Sequence, residues 1–190
     1  SYTIKDKSDN RYFRYTNFFA DLKSHPDPMN MEWERPAHID YIGADGALLF
    51  EEDVLCRIFG AYSRFETLKG IALVSRAGYG STSMDYAFFD NRDYTSFKSL
   101  TLRASAMDSI YTRIRDILIQ GLLEDGGSIL PTQAYVQVVL YINGEYWGVY
   151  NLREKVNKYF LAQRYGLADP EKIDILVGNG VSLTAEDGAG

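Results

Sequence analysis

Apolar and polar positions along the chain change period several times, and each change marks an element. The first 35 residues are polar and aromatic by turns and contain the breaker cluster HPDPMN at 25–30, which predicts an irregular N-terminal arm. Two apolar segments, 36–42 and 47–51, then flank Gly43, Ala44, Asp45 and Gly46, the pattern of a hairpin. VLCRIFG reads as a strand running into a turn. In KGIALVSR, alternation puts Lys69, Ile71 and Leu73 on one face of a strand and Ala72 and Val74 on the other. FKSLTLRAS repeats the pattern with Leu100 and Leu102 on one side. Asp108 is placed to cap a helix running to about Glu124, with Ile110, Ile114, Ile117, Leu118 and Leu122 as its buried stripe.

The clearest local signal is YVQVVLYINGEYWGVYNL, two strand-like runs joined by Asn143 and Gly144, the preferred pair for a two-residue turn. An uninterrupted ladder from that turn sets Ile142 opposite Glu145, Tyr141 opposite Tyr146, Leu140 opposite Trp147, Val138 opposite Val149 and Gln137 opposite Tyr150. After Glu154, Val156, Tyr159, Phe160 and Gln163 have helical spacing, and Gly166 suits a C-terminal cap. KIDILVG predicts a short strand, and the tail from 178 to 190 has the composition of a linker. The expected fold class is therefore α+β: a mostly antiparallel, twisted sheet with one long and one shorter helix. The expected division is an arm at 1–35, a domain at 36–177 and a linker at 178–190.

Composition narrows the function classes. With 46% hydrophobic residues in 190, the chain can bury a real core. A net charge of −6 argues against a surface built to neutralise nucleic-acid phosphates. Cys56 is the single cysteine, so neither an intrachain disulfide nor a cysteine zinc cluster is available. No run of about 18 apolar residues occurs, so no membrane insertion is expected of this chain.

Most charged positions have a structural reading beside a functional one. Lys69 is a candidate phosphate ligand or a strand-edge lysine with its amine in water. Arg57, between Leu55 and Phe59, needs a partner or an exit to solvent, since an unpaired buried charge costs several kcal/mol. Arg103 and Asp108 bracket the start of the long helix, and Asp116 is either a helix acid opposite Lys69 or a solvated charge. The tyrosines and Trp147 suit a half-exposed sheet face and also a platform for sugar rings. His25 and His38 have no spacing that joins them to acids as a metal triad, and residues 90–93 lack the ligand spacing of a calcium loop, so no metal is assigned.

Read together and in order, RIFGAYSR, Lys69, RAGYG, LRASAMD and YINGEYWGVYNLREK resemble the spore-coat protein H family of atypical kinases. The resemblance covers roughly 36–190, and the last block is the most specific. It implies a protein-kinase-like fold in which this chain is the smaller, nucleotide-binding lobe, and an intact protein that uses ATP and magnesium to phosphorylate a protein hydroxyl. On matching positions it implies Lys69 as the phosphate lysine, a turn of Gly60, Ser63 and Arg64 near the phosphates, and Glu154 on the adenine side. The family carries its catalytic and metal-binding aspartates downstream, in an asparagine- and aspartate-rich loop and a D-x-D-like segment. Neither is present here, so the chain alone is expected to be catalytically incompetent. The resemblance also implies a spore-coat, secreted or cell-surface setting, and a non-catalytic surface-binding or structural module is the alternative.

Overall fold

The structure, a computed structural model, describes residues 2–5, 12–15, 34–60, 62–65, 68–105, 108, 111–178 and 183–187. Within the region read as an arm, β1 (Tyr2–Lys5) pairs antiparallel with β2 (Tyr12–Tyr15), so these eight residues form strands where an irregular path was expected. The breaker cluster at 25–30 lies outside the described residues.

The predicted first hairpin forms from β3 (Arg35–Ile42) and β4 (Leu48–Phe59). Its turn is closed by the Gly43 amide donating to the Ala47 carbonyl at 2.8 Å, and by the Ala47 amide donating to the Asp45 carboxylate at 3.1 Å. β5 (Gly70–Val74) follows. A long excursion then carries the short paired strands β6 (Met84–Asp85) and β7 (Ser96–Phe97), before β8 (Ser99–Arg103) returns to the main sheet. After helix α1 (Arg115–Asp125), β9 (Tyr135–Ile142) and β10 (Glu145–Glu154) form the second predicted hairpin. Helix α2 (Lys158–Tyr165), β11 (Ile175–Gly178) and β12 (Leu183–Asp187) complete the order. The main sheet has six strands in the order β3-β4-β5-β8-β10-β9, antiparallel at every pairing, and it curls into a half-barrel. The fold is thus the α+β class expected, with two α-helices among the described residues, of which α1 is the longer.

One face of this sheet is the core. Leu73, Leu100, Leu102, Tyr150 and Leu152 lie on it and pack against Met84, Phe88, Phe89 and Phe97 from the excursion. Phe88 alone meets the rings of Tyr41, Phe50, Tyr86, Phe89 and Phe97 with centroids 5.0–6.2 Å apart, mostly edge to face. Burying each such side chain contributes about 1.5–3 kcal/mol, so this layer is the main source of stability.

Three sequence expectations change. The Asn143-Gly144 ladder holds for Ile142 with Glu145 and Tyr141 with Tyr146, and then a bulge at Trp147 moves Leu140 onto Gly148, Val139 onto Val149 and Val138 onto Tyr150. Gly148 takes φ +133°, a conformation L side chains rarely adopt, which is why the extra residue is absorbed there. Helix α1 starts at Arg115, after Asp108, whose carboxylate nonetheless accepts from the Arg115 amide at 3.2 Å. Of its predicted stripe only Ile117 is buried; Ile114, Leu118 and Leu122 are 42–63% exposed, and Ile110 lies outside the described residues. The tail read as a linker contributes β12, paired antiparallel with β11. Helix α2 ends as expected on Gly166, in a left-handed conformation, while its start is capped by Asn157, whose side chain accepts from the Phe160 amide at 2.9 Å.

Candidate functional site

The sheet face opposite the core is built by register. Arg57 pairs with Ala72, Ala72 with Thr101, and Thr101 with Arg153, so these four form one row across four strands. One step along, Arg103 pairs with Asn151, and two-residue periodicity puts both side chains on the same face as that row. The same register fixes which end of the sheet this is. Phe59 pairs with Gly70, and Ile71 with Leu102, so the loop 60–69 leaves the sheet at the end where Arg103 stands.

Helix α1 brings a carboxylate to this face. Asp116 accepts from the Arg153 guanidinium at 2.5 Å, from Gln120 at 3.2 Å, and stands 3.4 Å from Arg103 Nε. Burial opposes ionisation of Asp116, but the hydrogen bond and charge of Arg153, with Gln120 and Arg103, outweigh it and hold its carboxyl below the usual carboxylate range. Arg153 is nearly completely buried and also donates to Gln133 Oε1 at 2.5 Å. Two atoms on this face are buried without a partner: Arg153 Nε, a donor, and Asn151 Oδ1, an acceptor. Arg103 is different, its side chain 42% exposed beside Asp116.

The loop residues singled out from sequence come together. Gly60 adopts φ +122°, and a Cβ there would sit 2.1 Å from Ser63 Oγ, so no other residue fits without moving that hydroxyl. The short 3₁₀ turn Tyr62–Phe65 follows, the Arg64 Nε donates back to the Gly60 carbonyl, and the Lys69 ammonium donates to the Arg64 carbonyl at 2.7 Å. Lys69 therefore stands one residue before β5 rather than within a strand, because the ladder begins at the Phe59 and Gly70 pair.

Glu154 is placed elsewhere. It shares the core-facing side of β10 with Leu152 and Tyr150 and is 2% exposed. One carboxylate oxygen accepts from the Tyr94 hydroxyl; the other accepts from Arg92 Nε at 2.9 Å and the Ala134 amide at 2.7 Å. Arg92, fully buried, also donates to Glu124 at 2.6 Å and to the Thr132 carbonyl at 2.9 Å. Burial and the hydrogen bond to Glu154 push the Tyr94 hydroxyl pKa well up. Glu154 thus anchors the end of β10, with its side chain committed inside the protein.

Sequence reasoning did not select Arg103, Arg153 or Asn151 as site residues, and left Asp116 between two readings. Arg103 was set beside Asp108, but the structure pairs it with Asp116, while Asp108 pairs with Arg115 at 3.3 Å. The signal was available in SLTLR: alternation places Thr101 and Arg103 opposite Leu100 and Leu102, so the arginine had to leave the core face.

A curled antiparallel sheet, apolar on one face and carrying arginines and a helix carboxylate on the other, defines an α+β domain with one charged face. The chain belongs to the CotH kinase protein family, whose model matches residues 57–189. No curated protein matches the chain at a significant level.

Proposed function

We propose that this domain is the nucleotide-holding lobe of an ATP-dependent protein kinase, with the triphosphate lying at the sheet end shared by Arg103 and the loop 60–69. The observation that carries the reading is the Arg103–Asp116 pair. In protein kinases a cation on the strand before the first large helix pairs with an acid on that helix, and that cation holds nucleotide phosphates under a glycine-bearing loop. Here Arg103 ends β8, the strand preceding α1, Asp116 stands on α1, and the loop with Gly60 leaves the same end of the sheet.

Arg103 then takes the strand-cation role that sequence gave to Lys69, and its planar fork suits two phosphate oxygens. Asp116 keeps Arg103 oriented. Lys69, Ser63 and Arg64 supply further donors from the loop, and Gly60 lets the backbone approach the phosphates. Glu154 acts on the adenine side only by fixing where β10 ends. The donor set fits a triphosphate better than a metal: among the described residues of this face Asp116 is the carboxylate, and arginines engage it. Magnesium, when bound with ATP, would neutralise charge on the phosphoryl oxygens, and the acceptor is a protein hydroxyl.

A non-catalytic surface module is the second reading, favoured by Tyr141 and Tyr146, which are 60% and 63% exposed with ring centroids 5.8 Å apart. Calorimetric titration of ATP, with and without magnesium, into this chain and its Arg103→Ala and Lys69→Ala variants tests between them. The kinase reading expects saturable binding that Arg103→Ala weakens at least tenfold while circular dichroism stays unchanged. Binding of equal strength in wild type and Arg103→Ala overturns the assignment, and absence of heat at millimolar ATP favours the surface module for this chain.

A further inference from the structure

We propose that the outer hairpin of the sheet carries a site for a divalent transition-metal ion of zinc's class, ligated by His38, Asp40 and Glu51, with Asp53 as the outer partner of the imidazole. The inference stands apart from the nucleotide reading. It rests on a cluster that sequence spacing does not reveal, because the four residues are gathered across two strands.

Register makes the cluster. His38 pairs with Asp53 and Asp40 with Glu51, and all four side chains point to solvent while Ile39, Tyr41 and Phe50, on alternate positions, face the core. The result is a square with one imidazole and three carboxylates. Asp40 directly opposite Glu51 is a like-charge cross-strand pair, an arrangement that by itself destabilises a sheet and that a bound cation reverses.

The imidazole is aimed. His38 Nδ1 is 2.7 Å from an Asp53 oxygen, so Nδ1–H can donate there while Nε2, the nitrogen facing Asp40 and Glu51, is the one a metal would take in place of a proton. A carboxylate on the far nitrogen of a ligating histidine is the usual outer-shell device of zinc sites, fixing ring orientation and raising basicity. Nε2 then lies 3.3 Å from Asp40 Oδ1 and 3.9 Å from Glu51 Oε2, and one ligand atom from each of the three residues lies within 4.8 Å of the others. Two atoms each about 2.0–2.1 Å from a tetrahedral zinc stand about 3.4 Å apart, so the His38 and Asp40 atoms already have the spacing of two ligands. Glu51 Oε2, farther from Nε2, has to move inward, which a side chain 63% exposed does by rotating. One nitrogen and two oxygens select a borderline ion such as zinc over magnesium, which demands octahedral oxygen and dehydrates reluctantly. The fourth position is left to water.

The test is equilibrium dialysis of zinc against the purified chain, beside His38→Gln, Glu51→Gln and Asp53→Asn, each checked by circular dichroism. One zinc per chain is expected, weakened at least tenfold by His38→Gln and Glu51→Gln and about 10–100-fold by Asp53→Asn. A parallel readout uses the imidazole proton resonances. The chain has two histidines, and zinc should shift one set, the set missing from His38→Gln. No saturable zinc binding, binding unchanged in His38→Gln, or magnesium competing at equal concentration would each overturn the site.

Discussion

At the scale of single residues, what separates a site group from a structural one is the state of its partners. Glu154 and Arg92 are both buried, and every polar atom of the Glu154 carboxylate is used by Tyr94, Arg92 or Ala134. Removing that carboxylate leaves Arg92 with Glu124 but without the acceptor for its Nε, and takes the partner from the buried Ala134 amide and the part-buried Tyr94 hydroxyl. Breaking one side of a buried pair costs about 3–5 kcal/mol, and Glu154→Ala is expected to fall in that range by urea denaturation. A loss under about 1 kcal/mol would show that water takes over these bonds. Arg103 has the opposite character. Half in solvent beside Asp116, it can turn toward a ligand without abandoning a buried charge, so its substitution should change binding far more than stability.

At the scale of elements, helix α1 shows how far periodicity reaches. Ile117 is 4% exposed, whereas Leu118 and Leu122 are 52% and 63% exposed. Ile117→Ala should therefore cost about 2–4 kcal/mol and Leu122→Ala under about 0.5 kcal/mol, measured by thermal or urea unfolding; equal losses would mean that α1 packs through a different face. The spacing of Ile117, Leu118 and Leu122 correctly groups apolar residues on a helix, with Ile114 at its N-cap, but it carries no information about what covers them. The second hairpin repeats the lesson. Its turn was legible because Asn143 and Gly144 dictate the backbone locally, at φ 51° and 81°. The bulge two residues later was not, because Trp147 and Gly148 suit a regular ladder until the curl of the whole sheet is imposed. The strands were legible for the same local reason, whereas Gly60, Ser63, Arg64 and Lys69 were named through the family resemblance. The Arg103–Asp116 and His38–Asp40–Glu51 groupings join elements, and only strand order and register bring them together.

At the scale of the whole molecule, strand order separates the two proposed sites. The metal cluster sits on β3 and β4 at one edge of the sheet, while Arg103 and Asp116 stand at β8 and the helix after it, beyond β5. Between them, Ala72 is fully buried, and Leu73 and Leu100 pair within the core. Sites with no shared partner are additive to within about 0.3–0.5 kcal/mol, which is about a twofold change in affinity. His38→Gln should accordingly leave ATP affinity within twofold of wild type, and Arg103→Ala should leave zinc affinity within twofold. ATP itself chelates zinc, so the comparison is made with one ligand at a time on the two variants and on the double variant. A coupling above tenfold would mean that the hairpin and the arginine face move as one unit, through β5, and that zinc at the edge sets the geometry in which phosphate is held. Independence would make the edge ion a clamp on the hairpin alone, raising the unfolding temperature with zinc concentration while nucleotide binding stays constant.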